Sequence, residues 1–259
     1  MIEEEKKKII ENLIPLFEKA GIICLELRRQ GLKKEIKEDN TPVTNGDIKV
    51  NNLITNEIKK ITPEIPIVSE EVSTNKANIN LKNFWLIDPI DGTYDYINNR
   101  DEFTINAGLI INNKPEAGII YAPAKKRLFY SYHQGKSFEI SDKKKKILDC
   151  KKISKKGEIK AVSYSNELKP QIKELHKKFN VTEHVKMKSS LKFCVIASGE
   201  FDLYAANARA KEWDIAAGHA IIKHANGIVT DQNNEIFKYG KDKYKNTSLL
   251  VLRSKNLLK

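Results

Sequence analysis

The residues best suited to chemistry in this sequence are carboxylates at the ends of predicted elements. Glu70 and Glu71 follow one short apolar strand. Asp88 and Asp91 follow the next strand, and Asp214 stands at the start of a helix. Carboxylates at strand ends converge when the strands share a sheet, and they then repel one another unless a cation neutralises them. Hard oxygen ligands favour Mg²⁺, Mn²⁺ or Ca²⁺, whereas zinc prefers His or Cys, so the pattern predicts a divalent-cation site.

The turn that follows the second of these strands reads DPIDGT. Its proline and glycine favour a tight turn, so Asp88 and Asp91 can face one ion or two neighbouring ions, and the carbonyl of Ile90 is a further candidate ligand. Gly92 lets the backbone approach a phosphate. If a helix begins near Thr93, its free amides can hold an anion. Paired cations beside an anion cradle are the components of phosphate-ester hydrolysis.

Hydrolysis also requires a group that activates the attacking water. The hydroxyl of Thr93 is a weak base alone, but a hydrogen-bonded carboxylate would assist it. Asp47 lies at the N-terminal edge of a helix predicted over Asp47–Ile61 and is our candidate. We therefore predict that Asp47 and Thr93 act together, through a contact that the sequence alone does not establish.

Hydrophobic periodicity predicts the elements that position these residues. Apolar spacing indicates a helix over 3–29, and Thr44 or Asn45 can cap the helix at Asp47–Ile61. Residues 103–138 are typical of an antiparallel meander, and the lysine-rich segment 142–157 is the candidate boundary between a unit over 1–145 and a unit over 146–259. In the second unit strands and helices alternate, as in α/β architecture. The predicted elements are Pro66–Val68, Phe84–Ile87, Thr104–Ile111, Ala117–Tyr121, Leu128–Tyr132, Lys160–Ser163, Glu167–Phe179, His184–Met187, Leu191–Ser198, Phe201–Tyr204, Ile215–Ala225 and Ser248–Leu252.

Length and composition narrow the class of protein. The chain has 259 residues with 40% apolar and 31% charged side chains, which is compatible with a packed core and not with a disordered chain. No apolar run approaches the roughly 18 residues of a membrane span, and no signal peptide is visible. The cysteines, Cys24, Cys150 and Cys194, form neither a disulfide framework nor a zinc pattern. A cytoplasmic protein without integral membrane contact is expected.

The formal net charge of +12 leaves several partners open. The densest lysine runs are Asp142–Lys146 and Lys151–Lys156, and neither contains interleaved aromatic residues. We interpret them as solvated surface, with a general attraction for phosphorylated substrates as an alternative, and we expect no nucleic-acid partner. The remaining alternative outside enzymology is an anion-binding or RNA-associated protein that uses this basic surface.

Two long motifs resemble the signatures of a known superfamily. WLIDPIDGT (Trp85–Thr93) and WDIAAG (Trp213–Gly218) resemble those of the lithium-sensitive, magnesium-dependent phosphatases that include inositol monophosphatase. PVTNGD (Pro42–Asp47) and SEE (Ser69–Glu71) are similar to two further elements of that superfamily. The resemblance covers nearly the whole chain. It implies a layered αβαβα sandwich, with an α+β N-terminal half and an α/β C-terminal half.

Other segments resemble the bacterial 3′(2′),5′-bisphosphate nucleotidase branch of the superfamily. They are Asp101–Ile110, Lys114–Tyr130 and Ser189–Tyr204. This resemblance implies Mg²⁺-dependent hydrolysis of adenosine 3′,5′-bisphosphate to AMP and phosphate, which clears a by-product of sulfate activation. It implies two or three Mg²⁺ ions per site, with Mn²⁺ as a substitute. The assembly would be a monomer or a homodimer, and peripheral association with the inner membrane stays open.

The resemblance also implies roles for individual residues. Metal ligands would be the side chains of Glu70, Asp88, Asp91 and Asp214 and the carbonyl of Ile90. These residues, except Asp88, would also contact the substrate, together with Gly92, Thr93, Ser190 and Lys192. The attacking water would be activated by Thr93 with Asp47 behind it.

The chain departs from the branch pattern at some nucleotide-contacting positions. Asn166 stands where a histidine is expected, and Ala205 and Ala206 stand where an arginine is expected, with Arg209 a few residues later. Asn207 replaces the glutamate that meets sugar hydroxyls in inositol monophosphatases. The changes at the histidine and arginine positions leave open, as the alternative function, an inositol monophosphatase or another small sugar-phosphate phosphatase of the same superfamily, although Asn207 argues against inositol phosphate.

Overall fold

The computed structural model describes residues 1–37, 40–72, 81–150 and 158–258. The lysine run Lys151–Lys156 lies outside the described residues. The helices are α1 (Glu3–Gln30), α2 (Asn45–Ile61), α3 (Thr93–Ile97), α4 (Pro170–Lys178), α5 (Leu191–Ala197) and α6 (Glu212–His224). The strands are β1 (Lys34–Ile36), β2 (Pro42–Thr44), β3 (Ile67–Ser69), β4 (Phe84–Asp91), β5 (Thr104–Ile111), β6 (Lys114–Ala122), β7 (Arg127–His133), β8 (Lys136–Ser141), β9 (Lys144–Ile147), β10 (Ile159–Ser163), β11 (Val181–Lys186), β12 (Leu203–Ala206), β13 (Ile228–Thr230) and β14 (Leu249–Leu252).

Helices α1 and α2 cover one face of the first sheet. Both bury an apolar stripe against it, with Phe17 and Val50 inside the shared core. The hydroxyl of Thr44 accepts hydrogen bonds from the backbone N–H groups of Gly46 and Asp47, and the Asp47 carboxylate accepts one from the N–H of Thr44. Thr44, the first of the two predicted alternatives, is therefore the N-cap of α2. Among the described helices none is both long and apolar enough to cross a membrane.

The first sheet has seven strands in the order β3-β4-β5-β6-β7-β8-β9. Strands β3 and β4 pair in parallel and the others pair antiparallel, which confirms the predicted meander. The hairpin of β8 and β9 was not predicted, because Lys144–Ile147 carries almost no apolar residues. Backbone pairing and a turn with left-handed φ at Asp142 and Lys143 form it instead. The predicted boundary between residues 145 and 146 falls inside strand β9, and the chain leaves this sheet only after Ile147.

Helices α5 and α6 lie between this seven-stranded sheet and a second sheet of five strands. Helix α6 packs closely on the first sheet because strands β5 and β6 carry glycines where it crosses them. A Cβ on Gly108 would lie 2.7 Å from the Cβ of Ala216, and one on Gly118 would lie 2.6 Å from the carbonyl oxygen of Ala217. This close approach sets the distance between the first turn of α6 and the sheet.

The second sheet has five strands in the order β11-β10-β12-β14-β13, and α4 packs on its outer face. The layers thus alternate as helix, sheet, helix, sheet, helix, which confirms the predicted sandwich. Strands β10 and β12 are parallel and β14 is antiparallel to β12, so the ends at Ser163, Ala206 and Leu249 lie at one edge. Helix α4 begins at Pro170 and not at the predicted residue 167, because a proline favours the first helical position and disfavours helix before it.

One ion-pair cluster joins helices on the two faces of the first sheet. The carboxylate of Glu116, on β6, lies 2.8 Å from Nζ of Lys6 on α1 and 3.0 Å from Nζ of Lys223 on α6. Burial alone would raise the pKa of Glu116, but hydrogen bonds from the two lysines lower it to about 2. The ionised carboxylate is therefore favoured in the folded protein.

We expect Glu116→Gln to lower the free energy of unfolding at pH 7 by about 2 kcal/mol, because two ammonium groups lose their counter-charge. The depressed pKa means that this contribution is present above the unfolded pKa of 4.5 and disappears as the pH falls towards 2. Urea denaturation of both proteins at several pH values measures it. A difference in stability that stays constant from pH 7 to pH 3 contradicts the expectation.

Candidate active site

The turn after β4 is built as the sequence predicts. Pairing with β5 shifts register between Asp88 and Asp91, and the backbone N–H of Ile90 donates to Oδ1 of Asp88 at 3.1 Å. Gly92 has a left-handed φ of 93° and is the N-cap of α3, which begins at Thr93. A side chain at Gly92 would strain this conformation and crowd the carbonyl of residue 102. The turn therefore presents a carboxylate, a carbonyl and a helix start within a few residues.

Four predicted metal ligands come from three different parts of the chain and converge. Because β3 is parallel to β4, Glu70 emerges at the same end as Asp88, and its backbone N–H donates to the carbonyl of Ile87 at 3.1 Å. Asp91 follows in the turn, and the first turn of α6 adds Asp214. Burial, and then repulsion by the neighbouring acids, hold the pKa values of Asp88 and Asp214 well above their usual range. The structure thus brings these acids together.

Lys37 is a cation at the edge of this acid cluster. Its Nζ lies 2.7 Å from Oε1 of Glu71 and 3.4 Å from Oε1 of Glu70. Burial raises the pKa of Glu70 to about 7, although the charge of Lys37 opposes the rise. The sequence analysis did not single out Lys37, because the sequence of a polar segment does not indicate which acid a lysine in it will contact.

Ser190 links two of the acids. Its Oγ lies 2.6 Å from Oδ2 of Asp91 and 2.7 Å from the carbonyl oxygen of Asp214, and it accepts a hydrogen bond from Nδ2 of Asn106 at 3.0 Å. The carboxylate of Asp214 in turn accepts from the backbone N–H of Lys211 at 2.7 Å. Asn106 was missed by the sequence analysis, and its only signal is a polar side chain within the apolar run of β5.

The donor chemistry of the cluster fits a hard divalent cation. Buried carboxylates that repel one another gain most from a cation with oxygen preference, such as Mg²⁺. Within the described ranges, however, no three His, Cys, Asp or Glu side chains are already gathered at metal-ligand spacing. Several of these oxygens accept hydrogen bonds from protein donors: Asp88 from the N–H of Ile90, Asp91 from Ser190 and Asp214 from the N–H of Lys211.

Asp47 and Thr93 are in contact. Oγ1 of Thr93 lies 3.3 Å from Oδ1 of Asp47 and 3.1 Å from the carbonyl oxygen of Ile90. The other oxygen of Asp47 is held by Thr44, at 2.7 Å from its N–H and 2.6 Å from its hydroxyl. Burial raises the pKa of Asp47 to about 6, against the hydrogen bonds from Thr44. The predicted contact between Asp47 and Thr93 is therefore present next to the turn.

A cavity of about 410 Å³ adjoins the acid cluster at the shared edge of β10, β12 and β14. Asp91 and Asp214 belong to its wall, and so does Lys192. Lys192 is buried, donates to the carbonyl of Ser189, and has a pKa lowered by burial to about 8. Of the positions that depart from the branch pattern, the wall includes Ala205, Ala206, Asn207 and Arg209.

Comparison with known proteins identifies the family. A family model described as the inositol monophosphatase family matches residues 5–258. The chain belongs to the inositol monophosphatase family. Its members are metal-dependent phosphatases. The predicted resemblance to this superfamily and the predicted phosphatase activity are therefore confirmed.

Individual relatives agree with this family assignment. A curated protein of Buchnera aphidicola named 3′(2′),5′-bisphosphate nucleotidase CysQ is 34% identical over 226 residues, covering 86% of this chain and 84% of the relative. The crystal structure of CysQ from Bacteroides thetaiotaomicron matches with a TM-score of 0.79 at 29% identity, covering 95% and 97% of the two chains. An IMPase/NADP phosphatase solved with Mg²⁺ and phosphate shares the fold, with a TM-score of 0.78 at 18% identity and coverage of 96% and 91%.

Proposed function

We propose that this protein is a 3′(2′),5′-bisphosphate nucleotidase that hydrolyses adenosine 3′,5′-bisphosphate to AMP and phosphate. The observation that carries the proposal is the junction of the acid cluster with the cavity, because Asp91 and Asp214 belong to both. The cavity volume of about 410 Å³ suits a nucleoside-sized group, and Lys192 and Arg209 supply positive charge to its wall. The bisphosphate nucleotidase names of the relatives support the same substrate.

We assign Mg²⁺ to the side chains of Glu70, Asp88, Asp91 and Asp214 and to the carbonyl of Ile90. When bound, Mg²⁺ supplies positive charge that stabilises the leaving oxygen and acidifies water. The expected complement is two or three ions, and Mn²⁺ is the expected substitute. The positive charge of the bound ions would offset the burial and the mutual repulsion that raise the pKa values of Glu70, Asp88 and Asp214.

The residues of the chain orient the water and the phosphate. Because the hydroxyl of Thr93 donates to Asp47, its lone pairs remain free to accept a hydrogen bond from the attacking water. With a pKa of about 6, Asp47 is mostly ionised at neutral pH. Through the hydroxyl of Thr93 it can therefore accept the proton that the attacking water loses. The backbone amides of Gly92 and Thr93 bind the phosphate to be cleaved. Ser190 holds Asp91 in place, and Lys192 faces the nucleotide in the cavity.

The proposed cellular role follows from the proposed substrate. Hydrolysis of adenosine 3′,5′-bisphosphate clears a by-product of sulfate activation, and we place this reaction in the cytoplasm. The substrate is a small phosphorylated nucleotide, and no nucleic-acid partner is required. The enzyme acts as a monomer or a homodimer.

A comparison of substrates tests the proposal. We expect kcat/KM with Mg²⁺ for adenosine 3′,5′-bisphosphate to exceed those for inositol 1-phosphate and fructose 1,6-bisphosphate by at least about tenfold, because only the nucleotide fills the cavity. Released phosphate is measured at equal Mg²⁺. The Asp91→Asn variant, purified in parallel, controls for contaminating phosphatases. A tenfold preference for inositol 1-phosphate overturns the proposal in favour of a sugar-phosphate phosphatase. Salt-sensitive RNA binding without any turnover overturns it in favour of a binding protein.

A further inference from the structure

Two cations beside the cavity converge on one aromatic ring. Nζ of Lys188 lies 3.2 Å from the ring centroid of Tyr164, and Cζ of Arg209 lies 3.7 Å from the same centroid. Tyr164 and Arg209 line the cavity, and Lys188 directly precedes the lining residue Ser189. Although burial acts in the other direction, hydrogen bonds and charge from Lys188 and Arg209 lower the pKa of the Tyr164 phenol. The three side chains therefore form one unit at the cavity wall.

Within the described part of the chain this unit makes no ion pair with an acid, although the charge of Arg209 acts on Asp214 and opposes the rise in the pKa of that carboxyl. Among the residues that the structure describes, no carboxylate lies within ion-pair distance of Lys188 or Arg209. Glu102 is near, but its carboxylate accepts from the backbone N–H of Lys188 at 3.1 Å. Glu167 lines the cavity without an ion pair to either cation. Both cations are therefore available to pair with an anionic ligand.

A third cation strengthens the case for an anion at this place. Lys192 lies in the same cavity wall, and after burial the charges of Arg209 and Lys188 contribute to its lowered pKa, while Asp91 opposes the shift. Three positive side chains close enough to repel one another are stabilised when an anion enters. The acid cluster at Asp91 lies along the same cavity, so a ligand can carry one phosphate to each.

We propose that Lys188, Tyr164 and Arg209 form an anion site that binds the second phosphate of the substrate, the one that is not hydrolysed. The guanidinium fork of Arg209 and the ammonium of Lys188 match phosphate oxygens, and the ring of Tyr164 keeps the two cations in place. This inference rests on the proposed function and makes these residues the determinants of preference for a bisphosphate over a monophosphate.

The test compares adenosine 3′,5′-bisphosphate with adenosine 3′-monophosphate, which share the base, the sugar and the scissile phosphate. We expect the wild-type kcat/KM to be at least about tenfold higher for the bisphosphate. We expect Arg209→Met and Lys188→Met each to lower that value about tenfold, mainly through KM, with the monophosphate value changed less than about twofold. Equal losses for both substrates, or no loss for either, overturn the anion site.

Control variants separate contact from general charge. Lys186→Met removes the same charge from an exposed position on β11, outside the cavity wall, and should leave the ratio of the two substrates unchanged. Arg209→Lys keeps the charge without the fork and should recover part of the preference. Thermal denaturation of each variant confirms that it folds. A loss of preference in Lys186→Met as large as in Lys188→Met contradicts a local site.

A binding measurement makes failure of this inference distinguishable from failure of the proposed function. In EDTA the acid cluster repels phosphate, so calorimetry with AMP and with adenosine reports on the anion site alone. We expect AMP to bind wild type at least about tenfold tighter than adenosine, and the Met variants to lose this advantage. If this holds while the bisphosphate is not hydrolysed, the proposed function falls and the anion site stands. If the bisphosphate is hydrolysed and the variants keep both preferences, the anion site falls alone.

Discussion

Asp91→Asn is expected to reduce kcat/KM for adenosine 3′,5′-bisphosphate by at least about a thousandfold at saturating Mg²⁺. The substitution removes one negative charge from the assigned metal ligands while keeping the size of the side chain. The hydrogen bond from Ser190, now 2.6 Å from Oδ2 of Asp91, can be kept by the amide oxygen of asparagine. The loss therefore reports the charge of the ligand and not the local geometry. Phosphate release measures the loss of kcat/KM, and a calorimetric titration measures the affinity of the variant for Mg²⁺.

Two comparisons make the result for Asp91→Asn specific. Asp142→Asn makes the same chemical change in an exposed turn whose left-handed φ of 49° asparagine tolerates, and its activity should equal that of wild type. In metal-free protein the thermal midpoint of Asp91→Asn should not fall, since one of several mutually repelling carboxylates has been removed. Turnover close to the wild-type value at low Mg²⁺ would contradict the assignment of Asp91 as a metal ligand.

Thr93→Ala is expected to lower kcat about a hundredfold while changing Mg²⁺ affinity less than about threefold. The physical reason is the contact of the Thr93 hydroxyl with Asp47, at 3.3 Å, which couples the attacking water to a buried carboxylate. Without the hydroxyl, the water loses its acceptor, while the assigned carboxylate ligands are untouched. Steady-state kinetics over a range of Mg²⁺ concentrations separates the two quantities.

Thr93→Ser provides the matched control for this prediction. Serine keeps an oxygen that can reach both Asp47 and the carbonyl of Ile90, so most of the activity should return. Mg²⁺ affinity that falls in parallel with kcat in Thr93→Ala would mean that the hydroxyl supports the ion site through Ile90, 3.1 Å away, and does not orient water. Full activity of the alanine variant would exclude both roles.

Local sequence signals were sufficient where one segment forms its own structure. The N-cap at Thr44, the turn before Thr93 and the meander strands all depend on side chains a few residues apart, and each was predicted close to its observed bounds. The hairpin of β8 and β9 was not, because a lysine-rich edge strand is stabilised by backbone pairing that leaves no apolar pattern. Helix α4 begins later than predicted because Pro170 occupies its first position, which is a local signal that the predicted start at residue 167 did not use.

The contacts between distant segments needed the tertiary structure. Asn106 on Ser190, Lys37 on Glu70 and Glu71, and the cations around the ring of Tyr164 join residues that no spacing relates. The type of a polar or charged residue in the sequence indicates its chemistry, but it does not indicate which residue it will contact. The partner depends on strand order and on the depth of helix packing.

By itself, the sequence determined the family, the layered fold and the identity of the acids, because long motifs and hydrophobic periods are written in neighbouring residues. Only the tertiary structure decided that Asp91 and Asp214 line a cavity whose wall also includes the cations Lys192 and Arg209. The reason is physical, because electrostatic interaction depends on distance through space. The packing of α6 against Gly108 and Gly118 sets how close Asp214 on α6 comes to Asp91 at the end of β4.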